Sequence, residues 1–206
     1  MEVMAQKVDL KKEFPMYYRA GKRPETIDVE ESEFLSLSGM GAPEGNLFMD
    51  SIAAIYAVAY VVKKGYQQIG LDFVVPKLEC FWWVESDLSF DETPRKEWFW
   101  ELLIRMPGFV GAKQVDDCIA EVIQKKNISL ANEVYLKNFA EGKSVQIMHI
   151  GSYEEEKPSI DKLLEYVANE GLEICGHHHE VYISDPRKTP AEKLKTILRY
   201  AVKNKY

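Results

Sequence analysis

The chain has 206 residues, 46% of them apolar, with 26 Lys plus Arg against 33 Asp plus Glu and a net charge of −7. At that length roughly 70% of the unfolded surface can be buried, so the fold needs no disulfide or metal staple. No uninterrupted run of 18 apolar residues marks a membrane span. Met1 to Glu13 carries Lys and Glu where a signal peptide has its apolar stretch. Cys80, Cys118 and Cys175 are odd in number, far apart and without a CxxC pair, which argues against a disulfide framework and a zinc motif. The acidic balance and the lack of a basic cluster argue against a nucleic-acid surface.

The expectation is therefore an acidic cytoplasmic domain with no cofactor and no metal. One compositional feature stands out: all four tryptophans fall between Trp82 and Trp100.

Residues 1–24 mix charges with Phe14, Tyr17 and Tyr18 and read as an N-terminal arm, with at most one helical turn. Residues 26–30 and 33–38 alternate as two short strands. Gly39-Met40-Gly41-Ala42-Pro43-Glu44-Gly45-Asn46 is a turn-rich stretch, and Asn46 is placed to cap the next helix. That helix carries Ile52, Ile55, Tyr56, Val58, Ala59 and Val62 at helical spacing and runs to Lys63-Lys64-Gly65. Residues 77–85, dense in aromatics, predict a strand. A polar link, 86–96, leads to a strand over 97–105, stopped by Pro107-Gly108. Val115, Ile119, Val122 and Ile123 predict a helix over 112–125.

Residues 134–139 and 145–150 predict two strands around Glu141-Gly142-Lys143. Pro158 stands near the start of a helix running to Asn169, where proline is tolerated. Residues 179–184 predict a strand, and 193–202 fit a strand or a helix. The order strand, strand, helix, strand, strand thus occurs twice, over about 25–110 and 130–206. Two such halves make an α+β domain over 25–206: an antiparallel sheet, helices on one face, and a concave site between the halves on the other.

Strand alternation sorts the candidate residues. Leu78, Cys80, Trp82 and Val84 point one way; Glu79, Phe81, Trp83 and Glu85 point the other. In the later strand Val181 and Ile183 oppose Glu180, Tyr182 and Ser184. Glu79/Phe81 and Glu180/Tyr182 then form matched constellations expected to face one cleft. Aromatic walls bury planar ligands. A carboxylate among them attracts a cation, or acts as a base where desolvation raises its pKa. Trp98 and Trp100 share a strand face, either as a packed core stripe or as a wall of the cleft.

Other features are set aside. Adjacent strand histidines in His177-His178-His179 point to opposite faces, and no acidic or cysteine partner stands at ligand spacing nearby. His149 reads as a lone structural histidine. No cysteine has the cationic setting of a reactive thiolate. Gly39-x-Gly41 lacks the remaining residues of a phosphate loop. Glu154-Glu155-Glu156 suits a helix N-terminus electrostatically and needs no function.

With these residues in view, the sequence resembles the GyrI-like small-molecule-binding proteins over about residues 20–204. The likeness rests on Gly39-Met40-Gly41-Ala42-Pro43, Leu78-Glu79-Cys80-Phe81-Trp82-Trp83, Trp98-Phe99-Trp100, the run from Glu141 to Tyr153, and His179-Glu180-Val181-Tyr182-Ile183-Ser184-Asp185-Pro186. Ser38 departs from the Asp that often precedes the first Gly-x-Gly in that family. The resemblance implies tandem strand-helix-strand-strand modules that take up hydrophobic, often cationic molecules, with a glutamate at the position of Glu180 in the site. The chain is most similar to a stand-alone subfamily that hydrolyses the cyclopropane ring of DNA-alkylating antibiotics inside an aromatic cage. On that likeness Phe81, Trp83, Trp98, Trp100 and Tyr182 would line the cage. Glu180 or Glu79 would be the general base, and Tyr182 would stabilise charge on the substrate carbonyl. The expected partner is a small hydrophobic or aromatic molecule, with no nucleic acid and no membrane. A non-catalytic binder that sequesters drugs is the alternative. A transcription effector has no DNA-binding domain in residues 1–24, and a protein partner stays open.

Overall fold

The computed structural model describes residues 7–90 and 92–205. In chain order they form α1 (Leu10–Glu13), β1 (Glu25–Val29), β2 (Ser32–Met40), α2 (Asn46–Gln68), β3 (Leu78–Trp83), β4 (Phe99–Met106), α3 (Ala112–Lys126), β5 (Tyr135–Phe139), β6 (Gly142–Ile150), α4 (Lys157–Asn169), β7 (Leu172–Ile174), β8 (His178–Tyr182) and β9 (Lys195–Asn204). The chain is α+β and falls into two compact units. The first holds the segment ending at Glu13, then Ser32–Pro76 and Trp82–Phe139; the second holds Phe14–Glu31, Lys77–Phe81 and Ala140–Tyr206.

In the first unit β2 lies between β4 and β5, antiparallel to both. Helix α2 begins one residue earlier than its apolar pattern suggests. Gly45, with extended dihedrals, holds the cap position, and Asn46 is already helical. Phe48, Ser51, Ala54, Ile55, Val58, Ala59, Val62 and Tyr66 form its buried stripe, the i, i+3, i+4 signature of a helix packed on strands. The helix is 23 residues long with a window hydropathy of 1.3, long and apolar enough to cross a membrane by those measures alone. The helix has no unbroken run of 18 apolar residues, and 39% of its most apolar window is buried within the protein. Helix α3 ends where Asn127 takes a left-handed conformation (φ 55°) and its N–H bonds to Ile123, a conformation asparagine tolerates.

Gly39 stands directly across from Trp100 in the β2–β4 ladder. A Cβ built there meets Cη2 and Cζ2 of the indole at 2.4 Å. The glycine is required by the ring lying over it, not by a turn. Gly39→Ala is expected to cost about 1–3 kcal/mol by overpacking, read as a lower midpoint of chemical denaturation with an unchanged m-value.

In the second unit the strand order is β1, β6, β9, β8 and the start of β3, with β7 also on β9. Residues 193–202, open between strand and helix by pattern, belong mainly to β9. Val145, Ile147, Leu198 and Val202 pack under Leu163 and Val167 of α4. On the opposite sheet face lies the segment after α1. Gln146 Nε2 donates to the carbonyls of Met16 (3.1 Å) and Arg19 (3.0 Å), and Arg199 donates to that of Tyr17 (2.8 Å).

Pairing departs from the two-half reading. β1 pairs with β6 of the second unit, and β5 pairs with β2 of the first. Glu30-Glu31 and Ala140-Glu141 separate β1 from β2 and β5 from β6. Neither link has the pair of positive-φ residues that a tight hairpin demands, so each strand leaves its sequence neighbour.

Candidate functional site

The register of β8 on β9 decides which face each candidate occupies. Glu180 lies opposite Leu198, and Tyr182 opposite Thr196. Leu198 belongs to the core beneath α4, so Glu180, with His178 and Tyr182 two residues either side, is on the α4 face. Glu156, at the N-cap of α4, reaches the same place. His178 Nε2 is 3.2 Å from Glu180 Oε1 and 4.0 Å from Glu156 Oε2. On the far side of the imidazole, Nδ1 is 2.9 Å from the Tyr200 hydroxyl. The rings of Tyr153 and Tyr182 meet edge to face at 5.7 Å. Tyr153 is 40% exposed and Glu156 only 6%, so the cluster runs from solvent at Tyr153 to a buried acid.

Two carboxyls this close in a buried setting cannot both ionise freely. Burial, then the Glu180 charge beside it, pushes Glu156 up to about 10. Burial works against the charge of Glu180 too, but hydrogen bonding to His178, its charge, and the Tyr182 contact hold it below the ordinary carboxylate value. Near neutral pH the pair therefore carries one proton, on Glu156, and one negative charge, on Glu180. Burial and then Glu180 also raise Tyr153 to about 12, which keeps its hydroxyl a proton donor.

Glu79 and Phe81 occupy the other face, contrary to the expectation of one face shared with Glu180. Glu79 Oε2 accepts from the Tyr17 hydroxyl and is 3.1 Å from His179 Nε2. Phe81 lies against the His179 ring at 4.2 Å. His179 Nδ1 is 2.9 Å from Glu141 Oε2. Both imidazole nitrogens face carboxylate oxygens, which only accept, so the ring is held as a two-donor cation. Burial by itself would lower the His179 pKa; Glu141 and Glu79 outweigh it and raise it. Val181 is buried on this second face, beneath the arm rather than the helix. With both faces covered, an apolar side chain no longer marks the helix side.

In the first unit the remaining rings separate by strand alternation. Trp82 and Trp100 pack on Phe48 of α2, at 4.9 and 5.2 Å, and Trp98 meets Trp82 edge-on at 6.0 Å. Trp100 has no exposed surface. Trp98 Nε1 donates to the Thr93 carbonyl (3.0 Å), and Phe90 covers its ring. Of the two readings open for Trp98 and Trp100, the structure places them in the layer against α2. Trp83, half-buried, stacks on Phe99 at 5.7 Å and 18°.

Residues 22–203 match the family model of the GyrI-like small molecule binding domain. The chain belongs to the GyrI-like family. Two solved structures from Listeria innocua are similar over its length. An uncharacterized conserved protein is 36% identical, with a TM-score of 0.90 over 96% of this chain and 100% of that one. A protein described as a hydrolase is 35% identical, with a TM-score of 0.85 over the same shares. The C-terminal domain of EcmrR, 14% identical over 88% of this chain and 98% of its own, shares the fold with a TM-score of 0.58. A search of curated proteins finds no match.

Of the residues in this cluster, the sequence reading of this GyrI-like chain singles out Glu180 and Tyr182 but not Glu156, His178 and Tyr153. In the sequence Glu156 reads as a favourable charge at a helix start, and the histidine tract as one with no acidic partner at ligand spacing. The partners come from α4 and from the same strand two residues on. The i, i+2 spacing of His178 and Glu180 was the available signal, since residues two apart on a strand share a face.

Proposed function

We propose that this small-molecule-binding protein is a hydrolase that opens the electrophilic cyclopropane ring of planar, DNA-alkylating compounds. The observation that carries the reading is the buried Glu180 carboxylate, 3.2 Å from His178 and beside Glu156, with the edge-to-face pair Tyr153 and Tyr182 next to it. A Listeria innocua relative described as a hydrolase, 35% identical over nearly the whole chain, supports it.

The chemistry asks for little. A cyclopropane conjugated to a dienone is already strained and activated. Water adds its oxygen to a ring carbon, and the ring C–C bond breaks. That electron pair moves through the dienone to leave a phenolate. Glu180 takes a proton from the attacking water, and a hydroxyl of Tyr153 or Tyr182 donates a hydrogen bond to the oxygen where charge collects. The proton then returns to the phenolate, so the net change is addition of one water. Aromatic side chains stack on the planar compound and orient it, with Tyr153 and Tyr182, which meet edge to face beside Glu180, as the proposed contacts. Glu79 is already engaged by Tyr17 and His179, which favours Glu180 as the base.

Incubating the protein with a cyclopropane-bearing alkylating compound is expected to yield a product heavier by one water in the mass spectrum, with turnover beyond one equivalent. Tryptophan quenching without product identifies a binder that sequesters such compounds instead.

A further inference from the structure

We propose that Glu156, His178 and Glu180 form a site for a first-row divalent metal ion. The three side chains converge one ligand atom each, all within 4.8 Å of one another, and each of those atoms is an acceptor or a switchable imidazole nitrogen. Two carboxyls and a ring nitrogen meeting at one point are a donor set that a divalent ion can use.

Two further observations point to a ligand. Glu156 is 6% exposed, yet its Oε1 has no hydrogen-bond partner among the described residues. A buried carboxylate oxygen left unsatisfied is costly, and a metal bond would satisfy it. Second, Tyr200 holds the other nitrogen of His178 at 2.9 Å. With an ion bound, Nδ1–H would donate to the tyrosine oxygen and leave the Nε2 lone pair for the metal. Such an outer partner is what orients a metal-ligating histidine.

The separations suit a first-row ion after a small adjustment. Bonds of about 2.0–2.2 Å place neighbouring ligands of a tetrahedral ion roughly 3.3–3.5 Å apart. His178 and Glu180 stand at 3.2 Å already, and Glu156, at 4.0 Å from His178, closes the gap by a carboxylate rotation. Three protein ligands leave a fourth position open, as in catalytic rather than structural zinc sites. Two oxygens and one imidazole, with no thiolate, suit Zn²⁺ or Mn²⁺. The ion takes the place of the proton between the two acids. His178 and Glu180 side chains keep 11% and 12% exposure, which gives the ion a way in.

The site uses the acid pair of the proposed reaction, but its test needs no organic compound, so either idea can fail alone. Chelator-treated full-length protein is titrated with Zn²⁺ and with Mn²⁺ by calorimetry, and with Co²⁺ by visible absorption. One saturable site per chain is expected, tighter for Zn²⁺, with Co²⁺ bands of a low-coordinate N/O site. His178→Ala and Glu156→Gln each weaken Zn²⁺ binding at least tenfold. Cys175→Ser with His177→Gln, removing the exposed donors nearby, leaves it unchanged. If Glu156→Gln does not fold, His178→Gln replaces it as the second variant. Absence of saturable binding, or binding kept by the ligand variants and lost by the Cys175/His177 double variant, overturns the proposal.

Discussion

Glu180→Gln is expected to lower the rate of ring opening by about 10²–10⁴-fold, the usual contribution of a positioned general base. The substitution keeps the shape of the side chain and its capacity to bond His178, but an amide cannot take a proton from water. The loss falls on kcat, with little change in KM for an uncharged compound, because the missing interaction belongs to the transition state. Cationic compounds also lose binding, since the buried negative charge of the site goes with the carboxylate. Tyr182→Phe, which removes a hydroxyl without emptying the space, is expected to cost less. A Glu180→Gln variant that turns over within threefold of the unaltered protein refutes the base assignment, whatever the binding data show.

The alternation of β3 and β8 was legible from residue types, and each strand does present its odd and even side chains as periodicity dictates. What periodicity cannot supply is the absolute face. Apolar character suggests the helix side for Leu78 and Trp82, and Trp82 does meet Phe48 of α2. The same logic suggests the helix side for Val181. For Val181 it does not hold, because Tyr17 and the carbonyls around it cover the opposite face of the second unit and make it a buried face as well. The arm was legible as charged and aromatic, but nothing local told that Arg199, 182 residues away, would bond the Tyr17 carbonyl. Strand partners were hidden for a related reason. β1 and β2 are adjacent in sequence with a two-residue link, and only the absence of Asn-Gly-type turn chemistry at Glu30-Glu31 hints that they part. The helices were read well, since their stripes are local. Glu156 shows the limit of that reading: the carboxylate seen as a favourable charge at a helix start is also the buried partner of Glu180.

Arg199→Leu is expected to be the most destabilising single change in the chain. The guanidinium is fully buried. It donates to Gln146 Oε1 at 2.9 and 3.2 Å and to the Tyr17 carbonyl at 2.8 Å. It stands 3.5 Å from Glu141 Oε2 and 4.3 Å from the centre of the Tyr17 ring. With His179 protonated, the cations Arg199 and His179 balance the anions Glu79 and Glu141. Leucine fills part of the space but leaves one buried negative charge without its partner, and removing one member of a buried pair costs about 3–5 kcal/mol. For a chain of this size that is a fall in Tm of about 6–20 °C. Glu141→Gln should cost less, and the Arg199→Leu/Glu141→Gln double variant should recover part of the loss, because the stranded charge is gone; strict additivity in that cycle excludes the coupling. The same network sets the acid limit of stability. Burial raises the Glu141 pKa, but His179 and then Arg199 more than offset this, so the folded value lies below the ordinary 4.5. Tyr17, Glu79, His179 and Arg199 are the titratable groups acting with it. The unfolded chain binds the proton more readily, so the stabilisation is complete above pH 4.5 and is lost as pH falls through the lower folded value. Urea unfolding between pH 6 and pH 3 should therefore show a steeper loss of stability in the unaltered protein than in Glu141→Gln, and parallel curves would remove Glu141 from the account.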